Sequence, residues 1–479
     1  MSIVQRLNIS DAKSLAHRFF KDYDEYKHRQ HFHFHIRHVD LFRALLPFRS
    51  NPDFEFKTVG LSVEGREITS IRFGTGKVQV AMWSQMHGDE PTATLSILDF
   101  LNFLQKDDAY NDFRSMLKNE LSIHIIPMVN PDGAERFIRR NAQGIDINRD
   151  ALALSSPEAR MLKDYVLQLN PDYGFNLHDQ EPYYAVGNTS SPVTLAFLAP
   201  PPDAESGVAK NNYEIAQSLL GNLVSELSPI YPSEISRYAA DYEPRAFGDF
   251  FQHMGISTIL IESGACKHDG EKRRVRKAGF LAVLTGCALI AQQKVEGGTE
   301  HYHAIPDNKK MKLFDLMIRN VIIDINGVSC TTDIGIRRVR KMVKGSDASN
   351  YISIIEDIGE LSVFGAFDTV DAKGMFLQPG KVYGDYFTEK TSISDVNLIK
   401  LLENGYTHIG IASEKPKNDF TSLPCNLTYS VIEPNNFPSV GVVPNFTLCR
   451  NGKPEIAIIN GFVYNLMTGL NLVKNALVV

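Results

Sequence analysis

The chain has 479 residues, which is too long for one hydrophobic core and predicts two or more domains. Hydrophobic residues make up 43% and charged residues 22%, as is typical of a globular protein. The net charge of −6 gives no electrostatic reason to bind nucleic acid or an anionic membrane, so we expect neither partner.

Cysteine usage and the N-terminal sequence bear on the cellular compartment. The five cysteines are odd in number and have no C-x-x-C spacing, which favours free thiols over a disulfide framework. The first residues contain no apolar segment typical of a secretory signal, and no apolar stretch is long enough to predict a transmembrane helix. These features predict a cytoplasmic protein.

Residues 1–50 are polar and predict an N-terminal helical extension, and residues 51–305 predict the main domain. In that domain strands are predicted at 54–59, 68–73, 78–83, 121–129, 173–177 and 257–261. Helices are predicted at 92–103, 157–169, 213–227 and 277–293. This alternation favours an α/β fold whose mixed, mostly parallel sheet carries helices on both faces.

The sequence changes character near residue 300. Glycines at 297 and 298 and the polar stretch 305–310 predict a linker. The residues that follow contain many short β-like runs and no constellation of catalytic residues. We therefore expect residues 306–479 to form a β-rich domain of unknown role.

The pair His87-x-x-Glu90 is the first candidate for a metal site. Imidazole and carboxylate groups at this spacing can bind one zinc ion. The same spacing recurs after His178 and His268, so spacing alone does not select one pair. His87 follows a predicted buried strand and precedes an apolar helix, whereas His268 lies in a charged loop. The context of His87 therefore favours it as a ligand.

Two further residues end predicted strands of the same sheet. His178 follows Phe175-Asn176-Leu177 and supplies a candidate third ligand. Glu262 ends the apolar run 258–261, where burial of a charge is costly unless the carboxylate is paired. Beside a metal-bound water such a carboxylate can act as a general base.

A third signal lies between these segments. The turn sequence Asn-Pro-Asp-Gly at 130–133 is followed by the pair Arg139-Arg140 and by Gly-Ile-Asp-Ile-Asn-Arg at 144–149. An arginine at the end of such a run places in a loop a planar guanidinium group, which can donate two hydrogen bonds to one partner. That donor suits a substrate carboxylate better than lysine does.

Taken in this order, the motifs resemble the zinc carboxypeptidase family (carboxypeptidase A-like). The segment 63–68, with the sequence Val-Glu-Gly-Arg-Glu-Ile, is similar to the family's segment ahead of its zinc motif. The resemblance covers roughly residues 50–295, and the ordered set of motifs is far more specific than any one of them.

The resemblance implies a metal site with defined roles. His87, Glu90 and His178 would bind one zinc ion per chain. Asp146 would orient His87 through the second nitrogen of its ring.

The resemblance also implies the catalytic and substrate-binding residues. Glu262 would take a proton from zinc-activated water and deliver it to the leaving amine. Arg140 would stabilise the oxyanion, and Asn148 and Arg149 would bind the terminal carboxylate of the substrate.

The sequence departs from the family pattern at several positions. Asp89 stands where the family often has arginine, and Asp179 stands where serine is common. For the family's mobile tyrosine, Tyr242 is nearest to the expected place before Glu262, and Tyr238 is the alternative.

Three functions remain open from the sequence. The first is a metallocarboxypeptidase that hydrolyses a C-terminal peptide bond. The second is an N-acyl amino acid deacylase of the aspartoacylase or succinylglutamate desuccinylase type, with the same zinc site. The third is a non-catalytic binding module on a decayed peptidase fold. The expected substrate is a peptide or small amide; its side-chain preference and the oligomeric state remain undetermined.

Overall fold

The computed structural model describes residues 15–29, 35–202, 207–238, 241–342, 349–387, 397–412, 419–429, 437–468 and 475–479. The chain divides into two compact units, Met1–Lys310 and Met311–Val479. The predicted boundary lay slightly earlier, between residues 305 and 306. Residues 308–309 stay with the first unit because they form a short strand that pairs with residues 185–186.

The helices of the first unit range from one turn to six turns. They are α1 Leu15–Asp22, α2 His38–Arg49, α3 Thr92–Gln105, α4 Asn111–Glu120, α5 Pro131–Arg136, α6 Pro157–Leu169, α7 Gly207–Leu227, α8 Phe247–His253, α9 Arg273–Ala291 and α10 Thr299–His303. Two 3-10 helices cover Tyr23–Glu25 and Ile147–Arg149.

Eight strands of the first unit form one sheet. They are β1 Phe54–Leu61, β2 Glu67–Phe73, β3 Val78–Ser84, β4 Leu121–Ile126, β5 Tyr173–Asp179, β7 Leu195–Leu198, β8 Ile235–Arg237 and β9 Ser257–Ser263, and a separate pair consists of β6 Ala185–Val186 and β10 Asn308–Lys309. The sheet order is β1-β2-β4-β3-β5-β9-β7-β8. The pairs β4-β3, β3-β5, β5-β9 and β7-β8 are parallel, and the other three are antiparallel.

Helices cover both faces of this sheet. On one face Leu98 of α3 and Leu284 of α9 belong to the same buried cluster as Phe175 of β5. On the other face the ring of Trp83 in β3 packs edge-on against Phe251 of α8, with centroids 5.2 Å apart. The predicted mixed, mostly parallel sheet with helices on both faces is therefore confirmed.

The described part of the N-terminal segment contains α1, the 3-10 helix Tyr23–Glu25 and α2, joined by non-helical residues. Asp99 of α3, which has no exposed surface, accepts hydrogen bonds from the Tyr23 hydroxyl at 2.7 Å and the His28 backbone nitrogen at 2.7 Å. The Arg276 guanidinium forms a bidentate ion pair with the same carboxylate. A buried charge paired in this way holds the extension against α3 and α9.

The second unit is rich in β-structure, as the sequence predicted. Its elements are β11 Leu313–Ile325, β12 Val328–Met342, β13 Ser349–Gly359, β14 Gly365–Asp371, β15 Phe376–Pro379, β16 Lys381–Phe387, α11 Leu398–Glu403, β17 Tyr406–Ile411, β18 Phe420–Thr421, β19 Asn426–Thr428, β20 Phe446–Arg450, β21 Lys453–Ile459, β22 Phe462–Asn465 and β23 Ala476–Leu477. The largest sheet of this unit has the order β13-β12-β11-β15-β20-β21-β22, and β14 pairs with β11.

A chain of buried polar side chains lies inside the second unit. The Nε2 atom of His408 lies 3.2 Å from the Asn426 amide nitrogen, which also donates to Asn445 at 2.8 Å. Asn445 in turn accepts from the Asn460 backbone nitrogen at 2.8 Å. Burial lowers the pKa of His408 to about 4, so this histidine is neutral in the folded protein at neutral pH.

Within the ranges given above, none of the helices is both long and apolar enough to cross a membrane.

Candidate active site

Strands β5 and β9 place two of the predicted site residues side by side. The two strands are parallel neighbours, and His178 pairs directly with Glu262 in their register. Both residues stand at the carboxyl ends of their strands, the edge at which ligands bind in open α/β sheets. The side chains are buried, with 3% exposure for His178 and 9% for Glu262.

The third residue, His87, reaches this edge from the turn between β3 and α3. Its side chain is 2% exposed. The turn packs closely against the segment after β4. A Cβ atom added at Gly88 would lie only 2.0 Å from a backbone carbon of Gly133. Only glycine fits at position 88, and this close approach fixes where His87 points.

The residues His87, Glu90 and His178 form a cluster of potential metal ligands. One ligand atom from each lies within 4.8 Å of the others, and all three residues are buried. Glu90 Oε1 lies 2.7 Å from His87 Nδ1, and Glu90 Oε2 lies 2.8 Å from His178 Nδ1. Two imidazoles and one carboxylate are the donor set of many catalytic zinc sites. His268, by contrast, is exposed and lies outside this cluster.

The electrostatics of the cluster favour a charged carboxylate among the two rings. Burial disfavours the charged form of His87, but the Glu90 and Asp146 carboxylates together outweigh burial and raise the His87 pKa to about 9. Burial lowers the pKa of His178, and Glu90 only partly offsets this effect. Burial also opposes ionisation of Glu90, yet the two imidazoles hold the Glu90 pKa well below its usual range. Glu90 is therefore ionised between the two rings, as a carboxylate must be to bind a cation.

Asp146 occupies the position that the resemblance implied. Its Oδ1 atom lies 3.1 Å from His87 Nε2 and accepts from the Asn148 backbone nitrogen at 3.0 Å. Because Asp146 holds Nε2, the Nδ1 atom of His87 is the one that faces Glu90 and the place of the metal.

The guanidinium that reaches this cluster belongs to Arg139. Its Nη1 atom lies 3.1 Å from His87 Nδ1 and 3.3 Å from Glu90 Oε1, and its Nε atom donates to Asp146 at 3.0 Å. Arg140 is exposed, and its guanidinium donates to the Gly144 carbonyl oxygen at 3.0 Å. The side chains of these adjacent residues diverge, so Arg139 contacts the cluster, whereas Arg140, the residue predicted to stabilise the oxyanion, contacts Gly144.

The backbone of Arg139 is also tied to the site. Its carbonyl oxygen accepts from the Gly88 backbone nitrogen at 3.4 Å and from the Asn130 side-chain amide at 3.3 Å. Asn130 caps α5 by accepting from the Gly133 backbone nitrogen at 2.9 Å. The Asn-Pro-Asp-Gly sequence, which was predicted as a turn, therefore begins a short helix and holds the arginine-bearing loop.

Glu262 is enclosed among other acidic groups. Burial raises its pKa well above the usual range, and the Glu90 and Asp179 carboxylates add to the effect. Its Oε2 atom has no hydrogen-bond partner within the described part of the chain. A carboxylate in this setting has a high proton affinity, as a general base requires.

Asp179, which stands where the family commonly has serine, is held by an ion pair. Lys272 Nζ lies 3.0 Å from Asp179 Oδ2, and the Thr92 hydroxyl donates to the same oxygen. The Asp179 backbone nitrogen donates to Glu90 Oε2 at 3.1 Å. The pair thus fixes the chain beside the candidate ligand His178. Asp89, the other departure, is half-buried, and burial raises its pKa.

Asn148 and Arg149 lie on the 3-10 helix that follows Asp146. The Asn148 side-chain oxygen accepts from the Phe247 backbone nitrogen at 2.9 Å. Arg149 Nε lies 3.5 Å from the carboxylate of Glu243, and 41% of the Arg149 side chain is exposed. The Arg149 guanidinium is therefore open to solvent, and Glu243 already contacts it.

Of the two candidate tyrosines, Tyr238 has its phenol in the neighbourhood of Glu262. Burial raises the pKa of Tyr238, and the negative charge of the Glu262 carboxylate raises it further. Tyr238 packs on Tyr184, with ring centroids 6.0 Å apart, and lines a cavity of about 380 Å³ with Tyr213 and Tyr302. Tyr242 is half-buried, and its assignment as the closing residue stays a prediction.

Part of this chain is similar in sequence to known carboxypeptidases. The sequence model of the family described as "Zinc carboxypeptidase" matches residues 48–270. Carboxypeptidase E from Caenorhabditis elegans is 34% identical over 166 residues, which cover 29% of this chain and 34% of that protein. A probable carboxypeptidase 2 from Trichophyton verrucosum is 27% identical over 164 residues, which cover 34% of this chain and 30% of that protein.

The chain thus spans about a third of the length of these two relatives. Among solved structures, a metallo-carboxypeptidase from Burkholderia cenocepacia aligns over 53% of this chain and 69% of its own, with 18% identity and a TM-score of 0.44. The predicted resemblance is confirmed over residues 48–270, which match the sequence model of the zinc carboxypeptidase family.

Proposed function

We propose that this protein is a zinc-dependent metallocarboxypeptidase that hydrolyses the C-terminal peptide bond of a peptide or small amide. The observation that carries the proposal is the convergence of His87, Glu90 and His178 beside Glu262. Three buried ligands and a buried carboxylate on the neighbouring strand supply both a metal site and a base.

The donor set fits one zinc ion per chain. Two imidazole nitrogens and one carboxylate leave room for a further ligand, which is typical of catalytic rather than structural zinc. Bound zinc would polarise the scissile carbonyl and increase the acidity of a nearby water molecule. Asp146, on the second nitrogen of His87, would keep the ring in the tautomer that binds metal through Nδ1.

Glu262 would act as the proton carrier. It would accept a proton from the attacking water and donate that proton to the nitrogen of the leaving amine. Its unpartnered Oε2 atom and its raised pKa both support this role. The pairing of Glu262 with His178 would hold the base within reach of the metal.

Two arginines would bind two different negative groups, the oxyanion and the terminal carboxylate of the substrate. Arg139, beside His87 and Glu90, would donate to the oxygen on which negative charge develops. Arg149, further along the same loop, would bind the terminal carboxylate with Asn148. Arg139 replaces Arg140 in this assignment because only Arg139 reaches the ligand cluster.

The first test is the metal content of the purified protein. We expect about one zinc ion per chain in the wild type and in the His268→Ala control, and none in a His87→Ala/Glu90→Ala variant. Equal zinc content in the wild type and the double variant would contradict the proposed site.

The second test compares substrates on the zinc-loaded protein. C-terminally free dipeptides should be hydrolysed, and Glu262→Gln should abolish turnover without loss of zinc. Hydrolysis of N-acetylaspartate or N-succinylglutamate alone would instead establish a deacylase. One bound zinc with no turnover of any amide would establish a binding module.

A further inference from the structure

A carboxylate of this chain lies between two guanidinium groups close to the proposed substrate site. Glu243 forms a bidentate ion pair with Arg245. Its Oε1 atom lies 2.9 Å from Arg245 Nε, and its Oε2 atom lies 2.7 Å from Arg245 Nη2. The same Oε2 atom lies 3.5 Å from Arg149 Nε. Glu243 therefore holds Arg245 tightly and Arg149 loosely.

The segment that carries Glu243 is joined to the loop that carries Arg149. The Ala151 backbone nitrogen donates to the Arg245 carbonyl oxygen at 3.1 Å, and the Phe247 backbone nitrogen donates to Asn148. These contacts fix the carboxylate next to the arginine that would receive the substrate.

We propose that Glu243 is an internal carboxylate that competes with the terminal carboxylate of the substrate for Arg149. This proposal rests on the proposed function, in which Arg149 binds that carboxylate. Glu243 thereby sets how strongly the site selects a substrate with a free C-terminus, because an incoming carboxylate must displace it from the guanidinium.

The chemistry of the contact makes displacement feasible. Hydrogen bonds from Arg245 lower the pKa of Glu243 to about 2, so the competing group carries its charge throughout the neutral pH range. When Arg149 turns to a substrate, Glu243 keeps its two bonds to Arg245 and is not left unpaired. Arg149 is 41% exposed and Glu243 29% exposed, so water screens their attraction.

The expected effect follows from that screening. Exposed ion pairs change an equilibrium by about two- to fivefold. Removal of the competing charge in Glu243→Gln should therefore strengthen the binding of a carboxylate ligand by about two- to fivefold. The amide keeps the size of the side chain and removes only the charge.

The test is calorimetric binding of 3-phenylpropanoate and of its uncharged analogue 3-phenylpropan-1-ol to the zinc-loaded full chain. Neither compound contains an amide bond, so the measurement does not depend on turnover. We expect Glu243→Gln to bind the carboxylate more tightly than wild type and the alcohol equally. The exposed Glu120→Gln substitution, which also removes one negative charge, should change neither affinity.

Two further variants separate the alternatives. Arg149→Gln should bind the carboxylate more weakly, and Arg149→Gln/Glu243→Gln should show no gain over Arg149→Gln. Weaker carboxylate binding by Glu243→Gln would overturn the proposal, because it would mean that Glu243 positions Arg149. Equal affinities in all variants would also overturn it, since the carboxylate would then bind elsewhere, for example to the metal.

Failure of the proposed function would be visible separately. A protein that hydrolyses no peptide but shows this pattern of affinities would retain the competition and lose the carboxypeptidase assignment.

Discussion

The adjacent residues Arg139 and Arg140 allow a sharp test of how the proposed active site would stabilise negative charge. We predict that Arg139→Gln lowers kcat strongly, whereas Arg140→Gln leaves kcat nearly unchanged. Both substitutions remove one positive charge from the same loop, so any general electrostatic effect is shared. Only the first removes a donor that lies 3.1 Å from His87 Nδ1.

The expected magnitude follows from the contacts of Arg139. Loss of one preorganised donor to an oxyanion costs about 10²- to 10³-fold in kcat, or about 3–4 kcal/mol of activation free energy. Arg139 also pairs with Asp146 at 3.0 Å, and loss of support behind a metal ligand costs about 10- to 100-fold in metal affinity. Arg139→Gln should therefore bind zinc more weakly as well.

The assay separates these two effects. The kcat and KM values for a dipeptide are measured at saturating zinc, and zinc affinity is measured by competition with a chelator. If the kcat of Arg139→Gln recovers fully at saturating zinc, the arginine serves the metal site alone. If Arg140→Gln loses as much kcat as Arg139→Gln, the geometric argument for Arg139 is refuted.

Three other predictions concern stability and the metal. Burial lowers the pKa of His408 from 6.5 to about 4. The folded state therefore binds fewer protons than the unfolded state between these values, and the free energy of unfolding of the second unit should fall by about 3 kcal/mol as the pH drops through this range. Urea unfolding at several pH values should show that His408→Gln lacks this component, and an unchanged pH dependence would contradict it. Asp99→Asn leaves the buried guanidinium of Arg276 without its carboxylate and should destabilise the first unit by about 3–5 kcal/mol in the same assay; a loss below about 1 kcal/mol would contradict the role of that pair. Gly88→Ala places a Cβ atom 2.0 Å from the backbone of Gly133 and should reduce the zinc content of the purified protein. Gly270→Ala, where the added atom meets nothing within 4 Å, should leave the zinc content unchanged. Normal zinc content in Gly88→Ala would show that the turn can shift to accept the added atom.

Much of the fold and of the candidate metal site follows from local sequence. Alternating strand and helix patterns predicted the α/β unit because a buried parallel sheet requires apolar runs separated by helices. His87, Glu90, His178 and Glu262 could be selected because each stands at or just after such a run. The ends of adjacent parallel strands meet at one edge, so positions far apart in the chain could be expected to converge.

Other features depended on contacts that no local pattern encodes. The packing of the loop against the turn at Gly88 decides which of Arg139 and Arg140 reaches the cluster. The sequence does not show this, because the two residues are of the same type and adjacent. The position of Glu243 beside Arg149 arises because two distant loops are joined by backbone hydrogen bonds.

Residue identity and short-range periodicity were enough to indicate the element types, the resemblance to the zinc carboxypeptidase family and the chemical nature of the candidate metal ligands. Long-range packing determines which guanidinium reaches the candidate ligands, which carboxylate opposes Arg149 and where the first unit ends. These outcomes depend on side-chain direction and on pairing between distant segments, such as β6 with β10. Both arise from packing of the whole unit rather than from neighbouring residues.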